Sequence, residues 1–209
     1  MDFPDAFPNL KVSSELNSLL QSVIVERITM NQAKNSLHVY ISSRNWISKQ
    51  YVYELEDAIA SQIFDNVRME VKIVEKFQLS AQYTPANFYK VYRPSMLLEL
   101  KTQSNLIHQM FLHAGVEFPD PGTVLVSLPD DDLYQSREEE LLHFLDKVFC
   151  DRAGFSVSVE CDHIHDGVPH RLLQDSFPAG LLCGLLLHPL DDVQLRADVP
   201  GTGKTGTSH

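Results

Sequence analysis

The sequence has few cysteines, no apolar run long enough to cross a membrane and no excess of positive charge. Its cysteines are Cys150, Cys161 and Cys183; they form no C-x-x-C pair, and an odd, widely spaced set argues against a disulfide framework. The longest apolar run, residues 181–187, is far shorter than the roughly 20 residues that a membrane span needs. The first ten residues lack the basic and apolar regions of a signal peptide. These absences predict a cytoplasmic protein with reduced thiols and no membrane segment.

The charge balance is acidic, with a formal net charge of -11 and a pI of about 5.2. The 17 lysines and arginines are scattered along the chain. Because an acidic surface repels phosphate groups, the sequence argues against a large nucleic-acid interface. Hydrophobic residues make up 44% and charged residues 22% of the chain, which is typical of a globular protein and excludes a fully disordered one.

The first part of the chain has the periodicity of an α-β-β-α-β unit. Val71 and Ile73 alternate with Glu70 and Lys72, which is typical of a half-buried strand. The predicted elements are a helix after Ser13, strands over residues 23–30 and 37–41 joined through Asn31 and Asn35, a helix over residues 51–64 after Ser48, and a strand over residues 67–74.

The second part of the chain repeats this order over a similar length. A left-handed cap is predicted at Gly154, and Pro94 is predicted to kink or split the helix that contains it. The predicted elements are a helix from Thr84 and Pro85, a strand within residues 106–118, a turn over residues 119–122, a strand over residues 123–128, a helix after a capping box at Ser136 and Glu139, and a strand over residues 155–161.

We therefore predict an α+β fold of two tandem α-β-β-α-β, KH-like modules, each a short sheet covered by helices on one face. The predicted modules are residues 1–78 and 79–166. Residues 167–209 are predicted to be a linker and a disordered tail of atypical composition.

Several long segments resemble the N-terminal region of the PolC-type DNA polymerase III α subunit of Gram-positive bacteria. The segment EKFQLSAQYTPANFYKVYRPSMLLELK (75–101) carries the resemblance most clearly. GVEFPDPGTVLVSL and REEELLHFLDKVFCDRAGFSVSVE follow it, and VERITMNQAKNSLHVYISS and YELEDAI precede it. The resemblance is collinear and covers roughly residues 7–165.

In that family these segments form accessory N-terminal domains ahead of an OB domain, a PHP domain with an inserted proofreading exonuclease, and the polymerase core. The N-terminal part is similar to the polymerase-binding domain of the clamp-loader tau subunit, a KH-like fold. The resemblance thus implies docking to replisome proteins, such as other polymerase III or clamp-loader subunits. It implies no catalytic residues, cofactor or metal site in this chain. Magnesium, DNA binding and nucleotidyl transfer belong to the parent DNA-directed DNA polymerase.

The sequence after Asp166 departs from the family pattern, because the charged character expected there is lost. This break motivates the hypothesis that the chain is a truncated or fragmentary PolC whose last thirty or so residues come from a shifted reading frame.

The terminal stretch PGTGKTGTSH (200–209) contains pieces of three catalytic or binding motifs. A phosphate-binding loop would need glycine at the position of Asp198 and a helix after Thr205. A penicillin-binding transpeptidase would need a Ser-x-x-Lys pair, which the chain lacks. A KH loop would need Gly203–Gly206 between two helices. The sequence favours a tail without chemistry.

A second constellation places Cys161, His163 and His165 at alternate positions, with His170 nearby. If the last strand continues this far, the thiol and imidazoles share a face and could hold zinc in a zinc-dependent enzyme. If the strand ends near Asp162, they belong to a solvated linker, and the absence of C-x-x-C and H-x-x-x-H pairs favours that interpretation.

Other chemistry-bearing residues have plain structural interpretations. The acidic residues 138–140 suit a helix N-terminus, and Asp130–Asp132 suit a solvated loop that could meet a basic partner. Trp46 is predicted to cover the core, with an interface anchor as the alternative. Packing or surface positions are predicted for His38, His108, His113 and His143.

The predicted function is therefore docking at the replisome by an N-terminal accessory part of a PolC-type polymerase, without catalysis by this chain. The alternative from another class is a KH-like protein that binds single-stranded nucleic acid. Their salt dependence distinguishes them, since nucleic-acid binding weakens steeply as salt rises.

Overall fold

The computed structural model describes residues 1–33, 35–65 and 68–164. These residues lie within one compact unit, Met1–Val168. The elements in chain order are α1 Phe3–Ala6, α2 Ser14–Leu20, β1 Val23–Met30, β2 Ser36–Ser43, α3 Lys49–Ile63, β3 Glu70–Phe77, α4 Pro85–Gln103, α5 Asn105–His113, β4 Gly115–Asp120, β5 Thr123–Pro129, α6 Asp132–Gln135, α7 Glu138–Asp146, a π-helical segment Lys147–Arg152, and β6 Ser158–Ile164.

The strands form two three-stranded sheets of the same topology. β1 and β2 form an antiparallel hairpin, and β3 pairs with β2 in parallel after the crossover helix α3. β4 and β5 form the second hairpin, and β6 pairs with β5 in parallel after α6, α7 and the π-helical segment. In each sheet, the central strand is the second of its three strands in chain order. This repeat confirms the predicted α+β fold with two sheets covered by helices.

The helix starts follow the predicted caps at most positions. The side-chain oxygens of Ser13, Ser48 and Thr84 accept hydrogen bonds from backbone amides in the first turns of α2, α3 and α4. Each cap satisfies an amide that has no partner within its helix. Asn31 accepts backbone hydrogen bonds from Asn35 and Ser36 in the first hairpin, as its predicted turn role requires.

The helical layer of the second sheet differs from the prediction in two places. The predicted strand within residues 106–118 is wrong over its first part, because residues 105–113 form α5 and β4 begins only at Gly115. Ile107, Met110 and Phe111 of α5 are buried, and their helical spacing packs one face onto the core.

The predicted capping box at Ser136 and Glu139 is also wrong. Ser136 ends α6 and donates its hydroxyl to the carbonyl of Leu133, while α7 begins after Arg137 without a side-chain cap. Ser136 thus serves the C-terminal end of the short helix α6, although the sequence pattern assigns it to the start of α7.

Pro94, β6 and Gly154 show how three further sequence signals appear in the structure. Pro94 lies inside α4, which continues as one helix from Pro85 to Gln103, so the proline does not split it. β6 begins at Ser158 and continues to Ile164, three residues later than predicted at both ends. Gly154 has φ of 75°, which confirms the predicted left-handed cap.

One cluster of buried side chains extends through the helices and both sheets. Its centre is aromatic: Tyr92 stacks on Phe88 with 4.9 Å between ring centroids, and Phe77 meets Tyr92 edge-on at 5.7 Å. Phe149 reaches Phe88 from the π-helical segment at 6.1 Å. Trp46 is partly buried and packs edge-on against Tyr92 at 6.1 Å. The predicted core-covering role of Trp46 thus matches its contacts.

The predicted boundary between modules at residues 78 and 79 stays a prediction, as does the KH-like classification of each module. None of the helices in the described part of the chain has both the length and the apolar character of a membrane span.

Candidate functional site

The first sheet leaves one face open to solvent. Val39 and Ile41 of β2 are buried beneath the helices, so Tyr40 between them lies on the opposite, open face. The strand register aligns Arg27 of β1 and Val74 of β3 with Tyr40. Because paired residues of neighbouring strands project to the same side of a sheet, these three side chains form the centre of the open face.

This open face is basic and partly apolar. Lys72 and Lys76 alternate with Val74 along β3 and are exposed, and Ile24 of β1 is 47% exposed. The guanidinium of Arg27 lies 3.9 Å from the centroid of the Tyr40 ring, a cation–π contact that keeps both side chains in place. We call Ile24, Arg27, Tyr40, Lys72, Val74 and Lys76 the basic sheet face.

Exposed acidic residues also lie on or beside the basic sheet face, and one of them, Glu26, directly precedes Arg27 at the bulge of β1. Glu70 begins β3 on the same side, with its carboxylate 3.9 Å from the Lys72 ammonium, and both side chains are more than half exposed. By contrast, the open face of the second sheet carries Glu117, Glu160 and Asp162. The fold therefore concentrates basic side chains on the first sheet of an acidic chain, which the scattered sequence positions did not predict.

A buried charge cluster lies on the other, helix-covered side of the first sheet. The Lys49 ammonium of α3 is 2.6 Å from Glu75 of β3 and 3.4 Å from Glu99 of α4. Arg152 contacts the same two carboxylates, with its Nη1 2.8 Å from Glu99 and its Nε 3.3 Å from Glu75. The Tyr92 hydroxyl donates to Glu75 at 3.4 Å. We call Lys49, Glu75, Tyr92, Glu99 and Arg152 the buried charge cluster.

Opposing effects of burial and neighbouring charges shift the pKa values of Glu99 and Arg152 within the buried charge cluster. Burial raises the pKa of Glu99, but hydrogen bonding and the positive charge of Arg152 outweigh burial and leave that pKa below its usual range. Burial lowers the pKa of Arg152, but the carboxylates of Glu75 and Glu99 raise it overall. Burial also raises the pKa of Tyr92 well above its usual value. The cluster therefore surrounds two carboxylates with two cations and a neutral phenol, and each cation contacts both carboxylates.

The cluster of cysteine and histidine lies at the edge of the second sheet. Cys161 and His163 are both on β6, and Glu138 at the start of α7 faces them. His163 Nε2 lies 3.1 Å from Glu138 Oε2. Burial, and then the nearby Glu138 carboxylate, raise the pKa of the Cys161 thiol to about 12. β6 therefore continues past Asp162 and places the Cys161 thiol beside the His163 imidazole. This matches the first of the two alternatives that the sequence left open.

The remaining predicted positions have ordinary placements or lie outside the described residues. His108 is half-buried on α5, while His113 and His143 are exposed near the ends of their helices. Asp131 caps α6 by accepting from the Leu133 amide. The terminal motif, His165, His170 and Cys183 lie outside the described residues.

The sequence did not single out Glu138 as a partner of the cysteine and histidine, nor Glu75 and Arg152 as partners of each other. Glu75 did carry a signal, since it continues the buried alternation of Val71 and Ile73. The described residues contain one group of three convergent metal-binding side chains, Glu138, Cys161 and His163. With a single carboxylate, it does not fit the oxygen-rich magnesium site of a polymerase.

Two three-stranded sheets of the same topology, the first with an open basic face, define the α+β class of the described residues. Residues 2–73 match the family model described as DNA polymerase III polC-type N-terminus I. The match covers α1 through the first half of β3, about a third of the chain. It confirms the resemblance of this segment to the N-terminal region of PolC and relates it to DNA replication. No curated protein matches the chain.

Proposed function

We propose that this chain acts as an accessory, non-catalytic part of a PolC-type DNA polymerase III and docks another replication protein on the basic sheet face. The observation that carries the proposal is the position of that face. Ile24, Arg27, Tyr40 and Lys72 all lie within the segment that matches the PolC N-terminus family model.

The chemistry of the basic sheet face indicates the kind of partner. Three cationic side chains surround exposed Ile24 and Val74, so a complementary segment would carry carboxylates around an apolar centre. The Tyr40 ring is covered on one side by Arg27, which leaves less of it free for stacking on a base. We therefore favour an acidic and apolar protein segment, from a clamp-loader or other polymerase III subunit, as the occupant.

A charge reversal tests this proposal. Arg27→Glu with Lys72→Glu should weaken binding to the cognate replication subunit by about tenfold or more, because like charges then face each other across the interface. Surface plasmon resonance with the purified clamp-loader and polymerase III subunits of the same organism measures the effect. Lys90→Glu with Lys147→Glu is the matched control, since both lysines are exposed and lie on helical segments.

The control variant should bind as the parent chain does, and circular dichroism should show that both variants remain folded. Binding that is equal in the two double variants would overturn the assignment of the face. Failure of every purified subunit to bind the parent chain would overturn the docking function itself.

The second candidate function is binding of single-stranded nucleic acid on the same face, favoured by the combination of Arg27, Lys72 and Lys76 with one aromatic ring. Fluorescence anisotropy with an oligothymidylate at two salt concentrations separates the candidates. Neutralisation of a few phosphates would make the affinity fall steeply with salt. We expect little binding at either salt concentration because the chain carries a net charge of -11.

A further inference from the structure

We propose that Glu138, Cys161 and His163 form a binding site for a divalent transition metal, with zinc as the ion that fits best. One ligand atom from each side chain lies within 4.8 Å of the other two. The proposal concerns the second sheet and does not depend on docking by the first.

The backbone places these ligands on regular elements. Cys161 pairs with Val126 and His163 pairs with Leu128 in the parallel register of β6 with β5. Val126 and Leu128 are fully buried beneath the helices, so both ligands project from the helix-covered side of the sheet. α7 begins above them at Glu138. A strand and a helix start thus hold three donors of different chemistry at one edge of the sheet.

The donor set suits zinc more than the harder metals. Zinc accepts thiolate, imidazole and carboxylate ligands at about 2.0–2.3 Å, whereas magnesium and calcium prefer oxygen ligands alone. Small side-chain rotations suffice to bring atoms that are already within 4.8 Å of one another around a single ion. Three protein ligands leave a fourth tetrahedral position for water or for a ligand from outside.

The side chains have limited but real access to solvent. The exposed fractions of His163 and Glu138 are 32% and 24%, so an ion has a path to the site. Among the described residues, the buried Nδ1 of His163 has no hydrogen-bond partner. A metal ion bound at Nδ1 would therefore break no hydrogen bond of that nitrogen. Zinc binds the thiolate, so uptake of the ion releases the thiol proton of Cys161.

Cobalt substitution tests the site directly in the full chain. The background variant Cys150→Ser, Cys183→Ser leaves Cys161 as the single thiol. After removal of metal with a chelator, titration with Co²⁺ should produce a thiolate-to-cobalt charge-transfer band that saturates at about one equivalent and disappears when Zn²⁺ is added.

Ligand variants in this background identify the site. Glu138→Gln and His163→Ala should each weaken Co²⁺ binding by about tenfold or more, and Cys161→Ser should abolish the band. His143→Ala is the matched control, because His143 lies on the same helix as Glu138 but is exposed at its far end. Circular dichroism checks the fold of each variant.

Two results would overturn the proposal. One is the absence of a charge-transfer band at Co²⁺ concentrations up to about 1 mM, which corresponds to a binding free energy of about -4 kcal/mol. The other is equal Co²⁺ affinity in His163→Ala, Glu138→Gln and His143→Ala, which would assign the thiol to a different set of ligands.

Discussion

Glu75 occupies a position in β3 where the alternation of buried residues predicts an apolar side chain. Val71, Ile73 and Phe77 share its face of the strand, and the Glu75 side chain is only 2% exposed. A buried carboxylate is costly unless it is paired and hydrogen-bonded. Lys49 and Arg152 provide the pairing. A carboxylate is tolerated at this buried position because Lys49 and Arg152, from distant parts of the chain, both form ion pairs with it.

Removal of one cation from this cluster should cost far more than removal of an exposed one. Arg152→Met should lower the free energy of unfolding by about 3–5 kcal/mol, because it leaves two buried carboxylates with one ammonium between them. The control is Arg137→Met, whose pair with Glu140 is about half exposed on each side and should contribute less than about 1 kcal/mol.

Urea unfolding followed by Trp46 fluorescence measures both values. Equal losses in Arg152→Met and Arg137→Met would contradict a structural role for the buried charge cluster. Because a well-packed apolar replacement of the whole cluster can be neutral or stabilising, the prediction concerns the cost of breaking the cluster and not its net contribution.

At the scale of elements, local signals predicted some helices correctly and left others ambiguous. Ser48 and the buried stripe of Val52, Leu55 and Ile59 fixed α3. The segment after Ser104 was ambiguous, because its short apolar run fits both the helix period and the strand period. In the structure it forms α5, whose residues Ile107, Met110 and Phe111 are buried. Ser104 accepts from the Ile107 amide and caps α5, a local signal that could have resolved the ambiguity.

The π-helical segment is followed by Gly154, which has a left-handed backbone conformation that residues with a Cβ atom rarely adopt. Gly154→Ala should lower the free energy of unfolding by about 1 kcal/mol, since φ of 75° lies in the left-handed region that disfavours a Cβ atom. The strain is conformational, because the nearest atom to the added Cβ would be the Phe77 carbonyl oxygen at 3.8 Å, an ordinary contact.

Gly122→Ala is the matched control in the second hairpin. Its added Cβ would lie 3.4 Å from a carboxylate oxygen of Asp120, and Gly122 does not have a positive φ. Thermal unfolding of the two variants under the same conditions should show the larger loss for Gly154→Ala. The reverse order would contradict the assignment of strain to the left-handed cap.

At the scale of the whole molecule, the two sheets share one hydrophobic core. Phe77, at the end of the first sheet, contacts Phe88 and Tyr92 of α4. Arg152, from the π-helical segment that precedes β6 of the second sheet, forms an ion pair with Glu75 of the first sheet. The predicted boundary between residues 78 and 79 therefore lies directly after Phe77, which packs against two aromatic rings of α4. A cut there would expose apolar surface on both sides.

We expect the two sheets, each with its helices, to unfold together in one transition. Trp46 fluorescence reports on the first unit and its contact with Tyr92, while far-ultraviolet circular dichroism reports on all helices and sheets, and the two urea curves should coincide. A fragment of residues 1–78 should lack a cooperative transition because it loses its partners on α4. Two separated transitions, or a stable fragment, would instead support two independent modules.

The sequence by itself determined the α+β class, the repeated order of elements, most helix caps and the resemblance of the first segment to the PolC N-terminus. Those features depend on local periodicity, on single capping residues and on collinear similarity, all of which can be read from neighbouring positions. For Cys161 and His163 the pattern left two alternatives and favoured a solvated linker, whereas β6 continues to Ile164 and places both residues on one face of the strand.

Only the tertiary structure decided which distant side chains meet. It brought Arg27 beside Tyr40 and in line with β3, Glu138 beside Cys161, and Arg152 beside Glu75. The physical reason is that strand register and helix packing set these distances, and the burial of apolar area that fixes both is summed over the whole core. The basic sheet face, the buried charge cluster and the proposed metal site are therefore properties of the fold.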